Sequence, residues 1–222
     1  MRVEWFGQAA FSLAADSTTV FIDPFLEMSG LEDRGISWEY PAIEAGDVDL
    51  LLVTHEHLDH NGVGAVNGDP YTLRATAGTH GSPLGEVVGI ASEHDRSSGI
   101  ERGSNTIFAF ELEGLRIVHF GDFGQGWLRP EQTAAIGRPD LLFIPVGGGP
   151  TIDGRTAAEL ACRLDATWVV PMHYRTARID FLETEEDFLA AMPDVERLDS
   201  PSFETADLRL DSQPLVVVPA AP

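Results

Sequence analysis

Residues 49–60 read Asp-Leu-Leu-Leu-Val-Thr-His-Glu-His-Leu-Asp-His, an apolar run that ends in three histidines and an aspartate. Asp49–Thr54 carries no polar break before its last residue, which is the signature of a strand buried on both faces. His55, His57, Asp59 and His60 then form H-x-H-x-D-H. Side chains at i and i+2 of an extended stretch point the same way, so His55 and His57 can share one ion. The turn that follows lets Asp59 and His60 face a second, neighbouring ion. Imidazole mixed with carboxylate suits Zn²⁺, with Mn²⁺ or Fe²⁺ also compatible. The bland alternative is a surface cluster of histidines.

The same arrangement recurs further along the chain. Glu86–Ala91 leads into Ser92-Glu93-His94-Asp95, and Leu115–Phe120, which contains His119, leads into Gly121-Asp122. Asp140–Pro145 leads into three glycines, and Thr167–Pro171 into Met172-His173-Tyr174. Metal-capable residues thus follow the carboxyl ends of strands, where α/β sheets place their ligands. His80 sits among Gly, Ser and Pro and reads as an exposed loop residue. Upstream, Arg2–Phe6, Ala10–Ala14 and Thr18–Ile22 read as a β-meander with turns at Gly7-Gln8 and Asp16-Ser17. Phe25–Pro41 has no period and reads either as a lid over a site or as a plain surface loop. Helices are expected at residues 130–136, 157–164 and 183–191, with Cys162 a small apolar residue of the second. Strands first, then strand–helix alternation, imply an α/β (α+β) sandwich, one domain over residues 1–222.

Charge narrows the partners. The chain has 36 acidic and 14 basic side chains, a formal charge of −22, and every basic residue is arginine. Without lysine there is no Schiff base and no phosphate-cradling P-loop lysine. The acid excess opposes nucleic acid and acidic membrane surfaces, both of which select clustered positive charge. One cysteine excludes an intramolecular disulfide framework and any CxxC zinc site. No long apolar run opens the sequence and none could span a bilayer, so a cytoplasmic protein is expected. A homo-oligomer is compatible with all of this.

HEHLDH, SEHD, HFGD and PMHY, in that order and at these separations, resemble the metallo-β-lactamase superfamily, in particular its small cytoplasmic metal-dependent hydrolases. Gly7–Phe11 and Ile22-Asp23-Pro24-Phe25 match the opening of that group, and Pro145–Gly149 with Thr151 and Asp153 match its glycine loop. The resemblance spans residues 1 to 176. It implies a four-layer αββα sandwich with a dinuclear metal site on one edge. His55, His57 and His94 would hold the first ion, Asp59, His60 and His173 the second, and Asp122 would bridge them. His119 then stands behind the ligands. Asp23 is either the buried acid that orients an imidazole or a turn-former before Pro24.

The activity implied is hydrolysis of a small-molecule ester, lactone or phosphodiester by a metal-bridging hydroxide, with Asp59 and Asp122 the candidate catalytic carboxylates. Two dications, two carboxylates and a hydroxide leave the pocket slightly positive, so an anionic substrate is compatible. Arg96 and Arg175, each two residues past a candidate ligand, are either clamps for such an anion or ordinary surface arginines. Two other functions compete. A ribonuclease Z-like nuclease or phosphodiesterase is disfavoured by the charge, and a non-catalytic metal-binding scaffold by the complete ligand set.

Overall fold

The computed structural model describes residues 1–16, 18–28, 33, 35–211 and 213–222. Part of the Phe25–Pro41 segment and the serine of the Asp16-Ser17 turn therefore lie outside the described residues. Six strands form one sheet: β1 (Arg2–Gly7), β2 (Ala10–Ala15), β3 (Thr18–Ile22), β4 (Leu50–Val53), β5 (Tyr71–Arg74) and β13 (Ser202–Glu204). Their spatial order is β13-β1-β2-β3-β4-β5, antiparallel through the meander and parallel from β3 to β5.

Eight strands form the second sheet: β6 (Gly78–Ser82), β7 (Gly85–Glu93), β8 (Ser104–Leu112), β9 (Leu115–His119), β10 (Leu141–Pro145), β11 (Trp168–Met172), β12 (Asp194–Arg197) and β14 (Leu215–Val218). The order is β12-β14-β11-β10-β9-β8-β7-β6. Hairpins join β6 to β9, and β9, β10, β11, β14 and β12 run parallel. Because β7, β9 and β11 share a direction, their carboxyl ends meet at one edge.

The two sheets face each other across the main core, where the rings of Phe11 of β2 and Phe143 of β10 meet at a tilt, their centroids 4.4 Å apart. Strand alternation sorts the rest. Val20, Ile22, Leu50 and Leu52 join that core, while Phe21 and Leu51 turn to a second cluster with Phe25, Tyr40, Ile43 and Ile179. Three helices, α1 (Pro130–Ile136), α2 (Gly154–Arg163) and α3 (Glu186–Ala191), are described. α1 and α2 contact β7 and β10, and α3 packs on α2. This is the expected α/β sandwich. Among the described residues, the outer side of the six-stranded sheet is covered by irregular chain rather than by an α-helix. Among the described residues, no helix is long and apolar enough to cross a membrane.

Several sequence expectations need correction. The second helix starts three residues early because Asp153 caps it, its carboxylate accepting the Thr156 amide at 2.8 Å. The third helix begins at Glu186 rather than at residue 183. Cys162 lies on the second helix, as expected, and is exposed. His80 is on β6 and half-buried, not in an exposed loop. Strands β5, β6, β8, β12, β13 and β14 were not expected.

Candidate metal centre

The apolar run of β4 ends at Val53, and the chain turns through Thr54 into the histidine segment. His55 and His60 are buried, Asp59 is half-buried, and His57 is the most exposed of the imidazoles. His94 follows β7, Asp122 lies three residues past β9, and His173 follows β11, all three buried. The fold therefore gathers at one edge residues that are up to 118 positions apart (His55 to His173). Among the described residues, three groups of side chains place their ligand atoms within 4.8 Å of one another: His55, His57 and His94; His55, His60 and Asp122; Asp59, His60 and His173.

Asp122 stands between the imidazoles. Its Oδ2 lies 3.0 Å from His94 Nε2, 3.3 Å from His173 Nε2 and 3.9 Å from His55 Nε2, and its Oδ1 lies 3.3 Å from His60 Nε2. Burial works against the Asp122 charge, but the His173 and His60 imidazoles outweigh it and hold the carboxyl well below its usual range. Burial also works against a charged His60, and Asp122, Asp59 and Asp23 outweigh it in turn. His55 is different: burial, helped by its charged neighbour His60, keeps it neutral, its pKa lowered to about 2.

Hydrogen bonds select which nitrogen of each ring is free. Asp23, fully buried, accepts from His60 Nδ1 at 2.9 Å. The Thr54 hydroxyl donates to the same Asp23 oxygen at 2.7 Å and can then accept only from His55 Nδ1, 3.1 Å away. The Pro150 carbonyl accepts from His94 Nδ1 at 3.0 Å. In all three rings Nδ1 is thereby engaged, and Nε2 is the nitrogen that faces the cluster. His60 Nε2 and Asp122 Oδ1 are buried without a hydrogen-bond partner. Such orphans are rare in folded proteins, and a divalent cation would satisfy both.

Residues 2–173 match the β-lactamase superfamily domain. The chain belongs to the metallo-β-lactamase superfamily. The matched region contains every candidate ligand, and its last residue is His173. The UPF0173 metal-dependent hydrolase of Methanoculleus marisnigri is 30% identical over 198 residues, covering 79% of this chain and 82% of that protein. A UPF0173 protein of Pyrococcus furiosus is 29% identical over 198 residues, covering 79% and 84%. Among solved structures, a Thermotoga maritima protein described as a Zn-dependent hydrolase of this superfamily is 29% identical, with 98% of both chains covered and a TM-score of 0.77. The protein is accordingly a metal-dependent hydrolase of the metallo-β-lactamase superfamily.

Around this metallo-β-lactamase edge the other expected residues are placed as follows. His119 Nε2 donates to the Ala9 carbonyl at 3.0 Å and its Nδ1 accepts the Gly121 amide at 3.1 Å, so neither nitrogen faces the cluster. Arg96 is an exposed residue whose guanidinium bonds the Asp153 carboxylate at 3.1 Å. Arg175 is exposed as well. His80 belongs to none of the three groups. Sequence reasoning missed Thr54, Ser92 and Asn105. Asn105 is buried and donates to Ser92 Oγ and to the Phe120 carbonyl, each at 2.8 Å, while its Oδ1 accepts the Asp122 amide at 3.0 Å. It fixes the turn that presents Asp122, and the added Cβ of any larger residue at Gly121 would collide with it and with Thr54.

Proposed function

We propose that the chain holds two divalent ions, zinc by preference, and hydrolyses a small-molecule ester, lactone or phosphodiester. The observation that carries this reading is the position of Asp122, whose two oxygens face imidazoles of both outer groups. In this reading His55, His57 and His94 hold one ion, Asp59, His60 and His173 the other, and Asp122 touches both. Manganese or iron would fit the same donors. Bound there, the ions would lower the pKa of a shared water towards neutrality and polarise the oxygens of the bond being cleaved.

The chain's own groups do the rest. Asp23, Thr54 and the Pro150 carbonyl engage Nδ1 of His60, His55 and His94, which leaves Nε2 of each ring as the nitrogen that would hold an ion. In this reading Asp59, half-buried where Asp122 is buried, both holds an ion and is the candidate carboxylate for moving a proton. Neither Arg96 nor Arg175 is needed for this chemistry, and Arg96 is already engaged by Asp153. Arginines elsewhere are also paired, among them Arg74 with Glu56, Arg138 with Asp165 and Arg197 with Glu185. That dispersal, with the net charge of −22, supports a small substrate over nucleic acid.

Metal analysis of the purified protein, paired with a panel of chromogenic esters, lactones and bis-phosphodiesters, tests the proposal. About two ions per chain are expected, with loss of metal and of hydrolysis in His57→Ala. Protein that takes up no Zn²⁺, Mn²⁺ or Fe²⁺ would overturn the reading. Metal-loaded protein inert across the whole panel would overturn the substrate class.

A further inference from the structure

Among the described residues, five carry a buried side-chain nitrogen or oxygen without a hydrogen-bond partner: Gln8, His60, His80, Asp122 and His173. The His60 and Asp122 atoms would be satisfied by an ion in the candidate metal centre. His80 stands apart on β6 and belongs to none of the ligand groups. Gln8 differs from the rest, because both ends of its carboxamide are orphaned while the residue is 1% exposed. A buried polar atom left unmatched is costly, and a glutamine carries two. The Gln8 backbone is left-handed as well, with φ at +49°, a conformation that few residues other than glycine, Asn and Asp adopt readily. Two local rules broken at one position point to function rather than to packing.

His173 is where this position leads. The Gln8 carbonyl accepts the His173 amide at 3.2 Å and the Trp5 indole at 3.0 Å, and the neighbouring Ala9 carbonyl accepts from His119 Nε2 at 3.0 Å. The turn between β1 and β2 is thereby fastened to the edge of the other sheet from which His173 leaves. His173 Nε2 lies 3.3 Å from Asp122 Oδ2, so this is the nitrogen that faces the cluster, and Nδ1 is buried without a partner. That sets His173 apart from His55, His60 and His94, whose Nδ1 atoms are engaged by Thr54, Asp23 and the Pro150 carbonyl. An imidazole that gives Nε2 to a cation carries its proton on Nδ1 and needs an acceptor there. Gln8 Oε1 is an acceptor without a donor, on a residue whose backbone already touches His173. The two side chains do not bond each other here, and rotation about the Gln8 side-chain torsions is the movement that would join them.

We propose that Gln8 is the positioning residue of His173: with an ion on Nε2, Gln8 Oε1 accepts the Nδ1 proton and fixes the ring, as Asp23 does for His60. The inference rests on the metal reading above and adds to it the one outer support that the candidate ligands on β-strand ends otherwise lack.

Three substitutions test it. Gln8→Leu removes the carboxamide at similar length, Gln8→Asn withdraws it while keeping a residue that tolerates left-handed backbone, and Gln8→Glu restores an acceptor. In thermal melts of chelator-treated protein, Gln8→Leu should match or exceed the wild type, because apolar atoms replace unpartnered polar ones. Zinc titration against a chromogenic chelator should then show one ion weakened about 10–100-fold in Gln8→Leu and Gln8→Asn, with recovery in Gln8→Glu. The ring supplies a second readout. In zinc-loaded, isotope-labelled protein the imidazole N–H signal that vanishes in His173→Ala reports Nδ1. It should resist solvent exchange in the wild type and in Gln8→Glu, and exchange rapidly in the other two. Zinc affinity and this signal unchanged in Gln8→Leu and Gln8→Asn, whether or not the metal-free protein melts lower, would overturn the inference and leave the metal centre standing, as would a loss in Gln8→Glu equal to that in Gln8→Leu. Wild-type protein that binds no zinc would overturn the metal reading and this inference with it.

Discussion

Asp23 Oδ2 accepts from His60 Nδ1 at 2.9 Å, with both side chains fully buried. The same oxygen receives the Thr54 hydroxyl, which in turn holds His55. One carboxylate thus orients two imidazoles, one from each outer group. Its backbone is left-handed, with φ at +49°, a conformation Asp tolerates better than most residues.

Asp23→Asn keeps the volume and removes the charged acceptor. Zinc affinity, measured by competition with a chromogenic chelator, is expected to fall about 10–100-fold while the metal-free protein remains folded. An unchanged affinity would show that the two imidazoles orient themselves.

Asn105→Ala leaves the Asp122 amide and the Phe120 carbonyl without their buried partner. Each buried group left unpaired costs about 1–3 kcal/mol. Urea unfolding of metal-free protein should show a loss of at least that order, and metal uptake should weaken because the Asp122 turn is no longer fixed. A stability loss with full metal affinity would limit Asn105 to a structural role.

Asp153→Ala removes the cap of α2 and should cost about 1 kcal/mol. The effect has a defined pH dependence. Burial opposes the Asp153 charge, but the Thr156 amide and hydroxyl and the Arg96 guanidinium prevail and hold its carboxyl below the usual range. A depressed carboxyl stabilises the fold above its unfolded pKa, about 3.9, and that contribution disappears as pH falls through the folded value. The difference in urea midpoint between wild type and Asp153→Asn should therefore be full at pH 6 and shrink below pH 4. A difference that does not change with pH would assign the effect to packing.

Removing metal with a chelator should lower Tm, and adding back zinc should restore it in a concentration-dependent way. An ion that binds only the native state at 100 times its Kd contributes about 2.7 kcal/mol. His173→Ala, which removes a member of one candidate group only, should retain part of the shift. A Tm indifferent to metal would place any bound ion outside the folded site.

The candidate ligands were legible in the sequence because their chemistry is local. His55, His57, Asp59 and His60 sit within six residues behind an apolar run, and His94, Asp122 and His173 repeat the strand-end placement. The residues that hold them were not legible. Thr54 and Asn105 are ordinary polar residues, and their partners lie 31 and 15–17 positions away for Asp23, Phe120 and Asp122. Fold class followed from strand runs, yet β14 was missed although Leu215–Val218 is wholly apolar. Four buried residues after a proline carry no period, and only pairing with β11 and β12 makes them a strand. Cys162 lies on the expected helix, and its exposure could not be read beforehand, because position within a helix does not specify a face until neighbouring elements are known.

His55, His57, Asp59 and His60 descend from the six-stranded sheet, and His94, Asp122 and His173 from the eight-stranded one. Each outer group of candidate ligands therefore draws on both layers. An ion held there would act as a bolt across the seam between them, alongside the hydrogen bond from the Thr106 amide to the Thr54 carbonyl at 2.9 Å. Its occupancy would then govern mechanical stiffness at this edge as well as reactivity. The loaded protein would be both the competent form and the rigid one, and amide exchange should slow along the seam far from any ligand when metal binds.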